Sequence, residues 1–114
     1  QGAAVRFSAT HTFVGDLGIY LRNPAGAPSA TGLDLSSGNG STGDNYTNTI
    51  FSDAAAVAIT AGTAPFTGLF RPEQALSVFN GSAANGTWTL RVADTSSIDT
   101  GSITSAQLAL CVVP

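Results

Sequence analysis

Alternation of apolar and polar residues is the dominant pattern along the chain, and it predicts β-strands because successive strand side chains point to opposite faces. In the segment 16–22, for example, Leu17, Ile19 and Leu21 share one face. The other strand candidates are 3–10, 30–35, 55–59, 87–92 and 106–112. No window of a dozen residues carries the apolar stripe of an amphipathic helix, so the chain is predicted to be almost free of helix.

The same alternation assigns an inner face to each long strand. The residues predicted to face the core are Val5, Phe7, Ala9, Leu17, Ile19, Leu21, Trp88, Leu90, Val92, Ala106, Leu108, Leu110 and Val112. Arg6, Ser8 and Tyr20 alternate with them and are predicted to point outward. Trp88 is the only tryptophan, and we expect it inside with Leu90 and Val92.

Turn residues separate these strands. Asn23 to Gly26 reads as a type I turn, with proline second and glycine fourth, and 36–48 reads as a loop. Asn-Gly pairs begin at Asn80 and Asn85, and 71–79 could hold one short helical turn. Short strands at this spacing predict one antiparallel β-sandwich domain over residues 1–114.

Composition narrows the environment and the partners. The chain is 43 % hydrophobic and 10 % charged, and it has no lysine. Its net charge of −3 argues against a nucleic-acid partner, because binding to phosphates requires a basic patch. A surface rich in threonine, serine and glycine is typical of secreted, extracellular β-proteins. The single cysteine excludes an intrachain disulfide, and no segment approaches the length of a membrane span. The chain starts without methionine, so we interpret it as a piece of a longer exported precursor.

Catalytic chemistry is weakly supported. His11 is the only histidine and no Gly-x-Ser-x-Gly motif accompanies it, so a structural histidine that bonds a loop backbone is the favoured interpretation. Cys111 ends a strand and is expected to be a packed thiol rather than a nucleophile. The seven acidic residues include no spacing that selects a glycosidase pair.

The acidic residues are better candidates for a cation site. Five aspartates stand at strand ends or in loops next to small polar residues, which is the setting that calcium takes; they are Asp16, Asp44, Asp53, Asp94 and Asp99. Asp16, Asp94 and Asp99 could converge at one end of the sandwich, and Asp44 and Asp53 could form a second site. The alternative is that each aspartate caps its own turn without a metal.

Several motifs resemble the P domain of proprotein convertases. The motifs lie in 11–26, 43–45, 65–73, 76–81, 85–94 and 99–103. In 11–26, Gly-Asp-Leu stands before a strand and Pro-x-Gly after it, and 85–94 contains a Gly-x-Trp-x-Leu strand. The resemblance covers nearly the whole chain. The Pro-Phe-Thr-Gly and Arg-Pro-Glu stretch in 65–73 resembles the bacterial branch of the family.

This resemblance implies a jelly roll of about eight strands that has no catalytic residues. It implies an accessory domain of a secreted peptidase, with a serine endopeptidase as the parent, that supports folding, stability or engagement of a large protein substrate. It also implies calcium bound by loop acids, and by position this role falls to the five aspartates named above. Ser52 and Ala54 stand where relatives carry acids, which weakens the expected calcium site at Asp53. Ala106 stands where the last strand often has tryptophan, which predicts a smaller core at that position.

A second function stays open at this point: a surface-binding module for collagen, carbohydrate or a cell surface, on a precursor that need not be a peptidase. Fold class cannot separate the two functions. A row of exposed aromatic residues would favour binding, and the candidates for it are Tyr20, Tyr46 and Phe70.

Overall fold

The structure is a computed structural model that describes residues 2–96 and 98–111. Within these residues it contains seven strands and three 3₁₀ helices. The strands are β1 (Gly2–His11), β2 (Leu17–Arg22), β3 (Leu33–Ser37), β4 (Tyr46–Ser52), β5 (Gly68–Phe70), β6 (Thr89–Asp94) and β7 (Gly101–Cys111). The 3₁₀ helices are Val14–Asp16, Ile59–Ala61 and Leu76–Phe79.

The strands form two sheets, in the orders β5-β4-β1-β7 and β3-β2-β6. All neighbours are antiparallel except β4 and β5, which are parallel, so the larger sheet is mixed. The all-β, two-sheet class is confirmed, whereas the eight strands expected are seven in the residues described. Jelly-roll connectivity stays a prediction. No helix in the described part of the chain is long and apolar enough to cross a membrane.

The core lies between the two sheets and consists largely of the residues that alternation placed there. Val5, Phe7 and Ala9 of β1 are buried, and so are Leu17, Ile19 and Leu21 of β2. Leu90, Val92 and Leu108 are partly buried against this core. The inner-face predictions for β1, β2 and β6 are therefore confirmed. Val112 lies outside the described residues.

Two strands, β4 and β5, were missed, and one strand was wrongly predicted. β4 occupies Tyr46–Ser52 and begins inside the segment expected to be a loop. It was not predicted because Asn48, with a left-handed φ of 46°, disrupts the alternation. The buried positions become Tyr46, Thr49 and Phe51. The segment 55–59 is a loop that leads into the 3₁₀ helix Ile59–Ala61, which fits the low β-propensity of its alanines.

The turn predictions have mixed outcomes. The N–H of Gly26 donates to the carbonyl of Asn23, which confirms the turn there, and Ser82 closes a similar turn on Phe79 across Asn80-Gly81. The helical turn expected within 71–79 is confined to the 3₁₀ helix Leu76–Phe79. It begins late because Glu73 and Gln74 donate their N–H groups to the β3 carbonyls of Leu35 and Asp34.

Trp88 precedes β6 and is half-buried rather than fully enclosed. Its ring meets Phe79 edge-on with centroids 5.2 Å apart, and its Nε1–H donates to the carbonyl of Ala84 at 3.1 Å. A fully buried tryptophan changed to alanine costs about 3–5 kcal/mol, so we expect Trp88→Ala to cost about 2 kcal/mol because only half of the ring is enclosed. Urea unfolding measures this, and a loss below about 0.5 kcal/mol would place the ring outside the core.

Candidate functional site

His11 and Asp94 join the two sheets at one end of the sandwich. His11 ends β1 and Asp94 ends β6, and their side chains meet with Nε2 and Oδ2 2.8 Å apart. His11 is only 3 % exposed, whereas Asp94 reaches solvent. Gly101 begins β7 beside them, and only glycine fits there because a Cβ would overlap the carbonyl oxygen of Thr10.

Both imidazole nitrogens of His11 are engaged. Nδ1 accepts the N–H of Phe13 at 3.0 Å, so the proton of the neutral ring resides on Nε2 and is donated to Asp94. A catalytic dyad would need the second nitrogen to face a nucleophile or a substrate. His11 therefore holds a loop backbone and a carboxylate, in agreement with the structural interpretation.

The His11–Asp94 contact predicts a defined response to acid. The hydrogen bond from His11 holds the pKa of Asp94 below its ordinary value, and the bond from the Ser96 N–H acts in the same direction. A carboxyl with a lowered folded pKa stabilises the fold at neutral pH, and this contribution is lost as the pH falls through that pKa. We expect Asp94→Asn to lower the thermal midpoint at pH 7 and to flatten its decline between about pH 5 and pH 2.

Thermal melts at several pH values measure this difference. Asp44→Asn is the matched control, because it removes an exposed aspartate from the same end of the sandwich. An unchanged acid slope in Asp94→Asn would contradict the prediction.

Four of the five aspartates predicted as calcium ligands lie at this end. The carbonyl of Asp16 accepts the N–H and the hydroxyl of Thr95 at 2.9 and 3.0 Å. Asp99 accepts the hydroxyl of Thr12 at 2.8 Å. Asp44 lies just before β4 and next to Asn45, whose side chain accepts the N–H of His11. The strand ends thus converge, but the carboxylates of Asp94 and Asp99 bond separate partners, His11 and Thr12, and Asp16 accepts through its backbone carbonyl.

Asp53 lies at the opposite end of β4 from Asp44. β4 spans Tyr46–Ser52 and separates them by roughly 20 Å at about 3.3 Å per residue, so the two cannot share a site. The Asp53 carboxylate accepts the N–H groups of Leu76 and Ser77, both at 2.8 Å. It caps the 3₁₀ helix that begins at Leu76, a metal-free role, although in a distant segment rather than in its own turn.

The aspartates as placed do not fit a calcium ion. Among the described residues, no group of three or more His, Cys, Asp or Glu side chains could hold a metal ion. Asp53, Asp94 and Asp99 accept bonds from protein donors that a cation would have to displace. Calcium binding stays a prediction of the resemblance; Asp94 bonds within its own turn, as the alternative expected, whereas Asp53 and Asp99 bond distant segments.

A pair of melts distinguishes these alternatives. With the aspartates capping their own turns, the thermal midpoint should be the same in millimolar calcium and in chelator. A midpoint that rises with calcium, and does not rise in Asp94→Asn, would contradict this result and restore the calcium site.

A polar cluster that sequence reasoning missed bonds the edge of β3 to the segment after β5. The Glu73 carboxylate accepts the N–H of Ser37 and an amide hydrogen of Asn39, the latter at 2.9 Å. It makes no pair with Arg71, whose guanidinium donates instead to the carbonyl of Ala55. Burial raises the pKa of Asp34; the hydrogen bond from Ser37 opposes the rise, and the Glu73 charge adds to it. Sequence spacing carries no signal for contacts this distant.

The aromatic residues form no exposed row. Tyr46 is buried and stacks on Phe66 with ring centroids 4.8 Å apart, so its candidacy as a surface residue was wrong. Phe70 packs edge-on against Phe66, and Tyr20 is half-buried on the outer face with Arg91 5.2 Å from its ring centre. The feature that would favour a carbohydrate- or collagen-binding module is therefore lacking in the part of the chain described.

Several exposed apolar residues lie instead near the two edges of the larger sheet, β5 and β7. Large apolar side chains that are well exposed among the described residues are Val57, Leu69, Val78, Ile98, Ile103 and Leu110. We call Val57 and Leu69 the β5 rim; they are 46 % and 58 % exposed, and the Val57 carbonyl accepts the N–H of Arg71 just after β5. Ile103 and Leu110 belong to β7 at the other edge.

Comparison with known families gives one result. A family model described as the proprotein convertase P-domain matches residues 1–110. Neither curated proteins nor solved structures gave a match. The matched range includes every strand described here except Cys111, the last residue of β7. It also includes His11 and all five aspartates.

Proposed function

Because the chain belongs to the proprotein convertase P-domain family, we propose that it is the accessory domain of a secreted peptidase carried on the same polypeptide. The family match over residues 1–110 carries this proposal. P domains are non-catalytic and are usually attached to a peptidase catalytic domain. The engaged imidazole of His11 supports the absence of catalysis in this chain.

The domain acts by contact with the attached catalytic domain. A partner that binds only the folded state stabilises it by mass action, and a tether keeps that partner at a high effective concentration. The β5 rim suits such a contact, because Val57 and Leu69 present apolar side chains while backbone groups beside them are already bonded. Packing of these side chains against the peptidase would remove both from water.

The parent protein is proposed to be an exported serine endopeptidase, the class to which this family is attached through subtilisin-type enzymes. The large neutral surface of threonine, serine and glycine supports an extracellular setting. A large protein substrate is a further partner that the domain could help to hold against the catalytic domain.

Deletion tests the proposal. The precursor without residues 1–114 should yield a smaller amount of active, secreted peptidase than the full precursor. The pure 114-residue chain should show no peptide or ester hydrolysis. Equal yield and equal thermal inactivation of the peptidase after deletion would overturn the accessory role. Turnover by the pure chain that is abolished in His11→Ala would overturn the non-catalytic assignment.

A further inference from the structure

The outer edge of β7 differs from the other three sheet edges. An edge strand presents a row of backbone N–H and C=O groups that can pair with another strand, so proteins cover, shorten or charge their edges. β7 spans Gly101–Cys111 and pairs only with β1 among the described residues. It contains neither a charged residue nor a proline.

Each of the other edges carries one of these protections. The edge of β3 is covered, because the N–H groups of Glu73 and Gln74 donate to the carbonyls of Leu35 and Asp34. β5 has only three residues. β6 carries two charged residues, Arg91 and Asp94. Only the β7 edge is long, uncharged and uncovered in the part of the chain that the structure describes.

The sandwich is also open beside β7. The residues paired with the buried side of β1 are Ile103, Ala106, Leu108 and Leu110, so these residues point toward the core. Ile103, Ala106 and Leu110 are nevertheless exposed, with Ile103 49 % exposed, and Leu108 is only partly buried, because the smaller sheet ends at β6. Two clefts of about 210 and 160 Å³ lie between β6 and β7, lined in part by Val92, Ile103, Leu90 and Leu108.

We propose that this edge pairs with β7 of a second copy of the chain, in an antiparallel dimer with a two-fold axis perpendicular to the sheet. A two-fold contact pairs β7 antiparallel with its own sequence, residue i facing residue j and j facing i, so any charge on the strand would be brought near its own copy across the axis; β7 has none. The axis keeps the inner faces of both copies on the same side, so the apolar residues of the two β7 strands form one continuous floor.

A dimer formed in this way closes on itself. Both β7 edges are consumed, and the edges left at the ends of the joined sheet are the short β5 strands. The contact also places apolar side chains of the second β7 beside Ile103 and Leu108 on the shared inner face. The proposal therefore predicts a dimer rather than a fibre, and it leaves the β5 rim available to a peptidase domain.

Sedimentation equilibrium of the 114-residue chain tests the dimer across a concentration series. We expect a dimer at high concentration, and slower hydrogen exchange of β7 amides as the dimer forms. Ser105→Lys with Gln107→Lys places like charges across the paired strands on the outer face, and should raise the dissociation constant at least about tenfold. Thr47→Lys with Thr60→Lys adds the same charge on exposed residues away from β7 and should leave it unchanged.

Each contrary outcome is informative. A chain that stays monomeric at all concentrations overturns the proposal, as does a dimer that tolerates the β7 lysines or loses stability equally in the control. Protection of β7 amides only when a peptidase domain is added would assign the edge to that domain instead. Thermal melts of both lysine variants establish that they are folded, so that a loss of dimer can be attributed to the edge.

Discussion

Phe7→Ala is expected to lower the free energy of unfolding by about 3–5 kcal/mol, because it removes a fully enclosed ring from the central strand of the larger sheet. Phe7 has no exposed surface, and its ring meets Tyr46 edge-on with centroids 5.5 Å apart. The cavity would lie where β1 contacts both β4 and β7, so the surrounding strands cannot easily collapse into it.

Chemical unfolding in urea measures this loss. Arg6→Ala is the matched control, since Arg6 precedes Phe7 on the same strand but is exposed on the outer face; we expect a change within about 0.5 kcal/mol. If Phe7→Ala cost no more than Arg6→Ala, the inner face of β1 would be wrongly assigned.

Alkaline pH is expected to destabilise the domain through Tyr46. Burial raises the pKa of Tyr46 to about 12; the hydrogen bond with Ser36 opposes this rise, and the charges of Glu73 and Asp34 add to it. A group with a raised folded pKa contributes stability below its unfolded pKa, and that contribution is lost as the pH rises through the folded value. A rise of two units from 10.0 corresponds to about 3 kcal/mol, lost between pH 10 and about pH 12.

Tyr46→Phe isolates this contribution. It keeps the ring packed on Phe66 and removes the ionisable hydroxyl, while Ser36 keeps a bond from Asn39. Urea unfolding at pH 8 and at pH 11.5 should show a large alkaline loss in the parent chain and a much smaller loss in Tyr46→Phe. Tyr20→Phe, on the outer face, should retain the loss; equal losses in the parent and in Tyr46→Phe would contradict the prediction.

Regular alternation was sufficient to predict the strands that pack one face on the core. β1 and β2 match their predicted inner residues because Val5 to Phe7 pairs in regular register with β4 and β7, and Leu17 to Leu21 does so with β6. β4 was missed because a left-handed residue, Asn48, shifts its buried positions by one. Local periodicity cannot reveal such a bulge before the partner strand is known.

The candidate site was less predictable, because its contacts join distant parts of the chain. The role of His11 could be inferred from missing motifs, but its partner Asp94 is 83 residues away. Asp53 looked like a possible ligand, and its two bonds to Leu76 and Ser77 depend on how a loop folds against a 3₁₀ helix. The resemblance to a family supplied the function that these residues alone could not.

The exposure of β7 was also beyond sequence reasoning. The alternation in 106–112 correctly predicted a strand with Leu108 on its inner side. It could not indicate that the opposite sheet ends at β6, since strand number and order are properties of the whole fold. An inward-pointing apolar residue was therefore expected to be buried, whereas Leu110 is exposed.

The melting midpoint of the peptidase domain in the intact precursor tests the accessory role most directly. The precursor with Val57→Asp and Leu69→Asp places two charges on the β5 rim, and Thr60→Asp with Thr67→Asp adds the same charge at other exposed residues. We predict that the rim variant lowers the midpoint of the peptidase domain while the isolated 114-residue chain keeps its own, and that the control changes neither. The account would be contradicted if the peptidase domain melted at the temperature of the unaltered precursor both in the rim variant and in a precursor without residues 1–114.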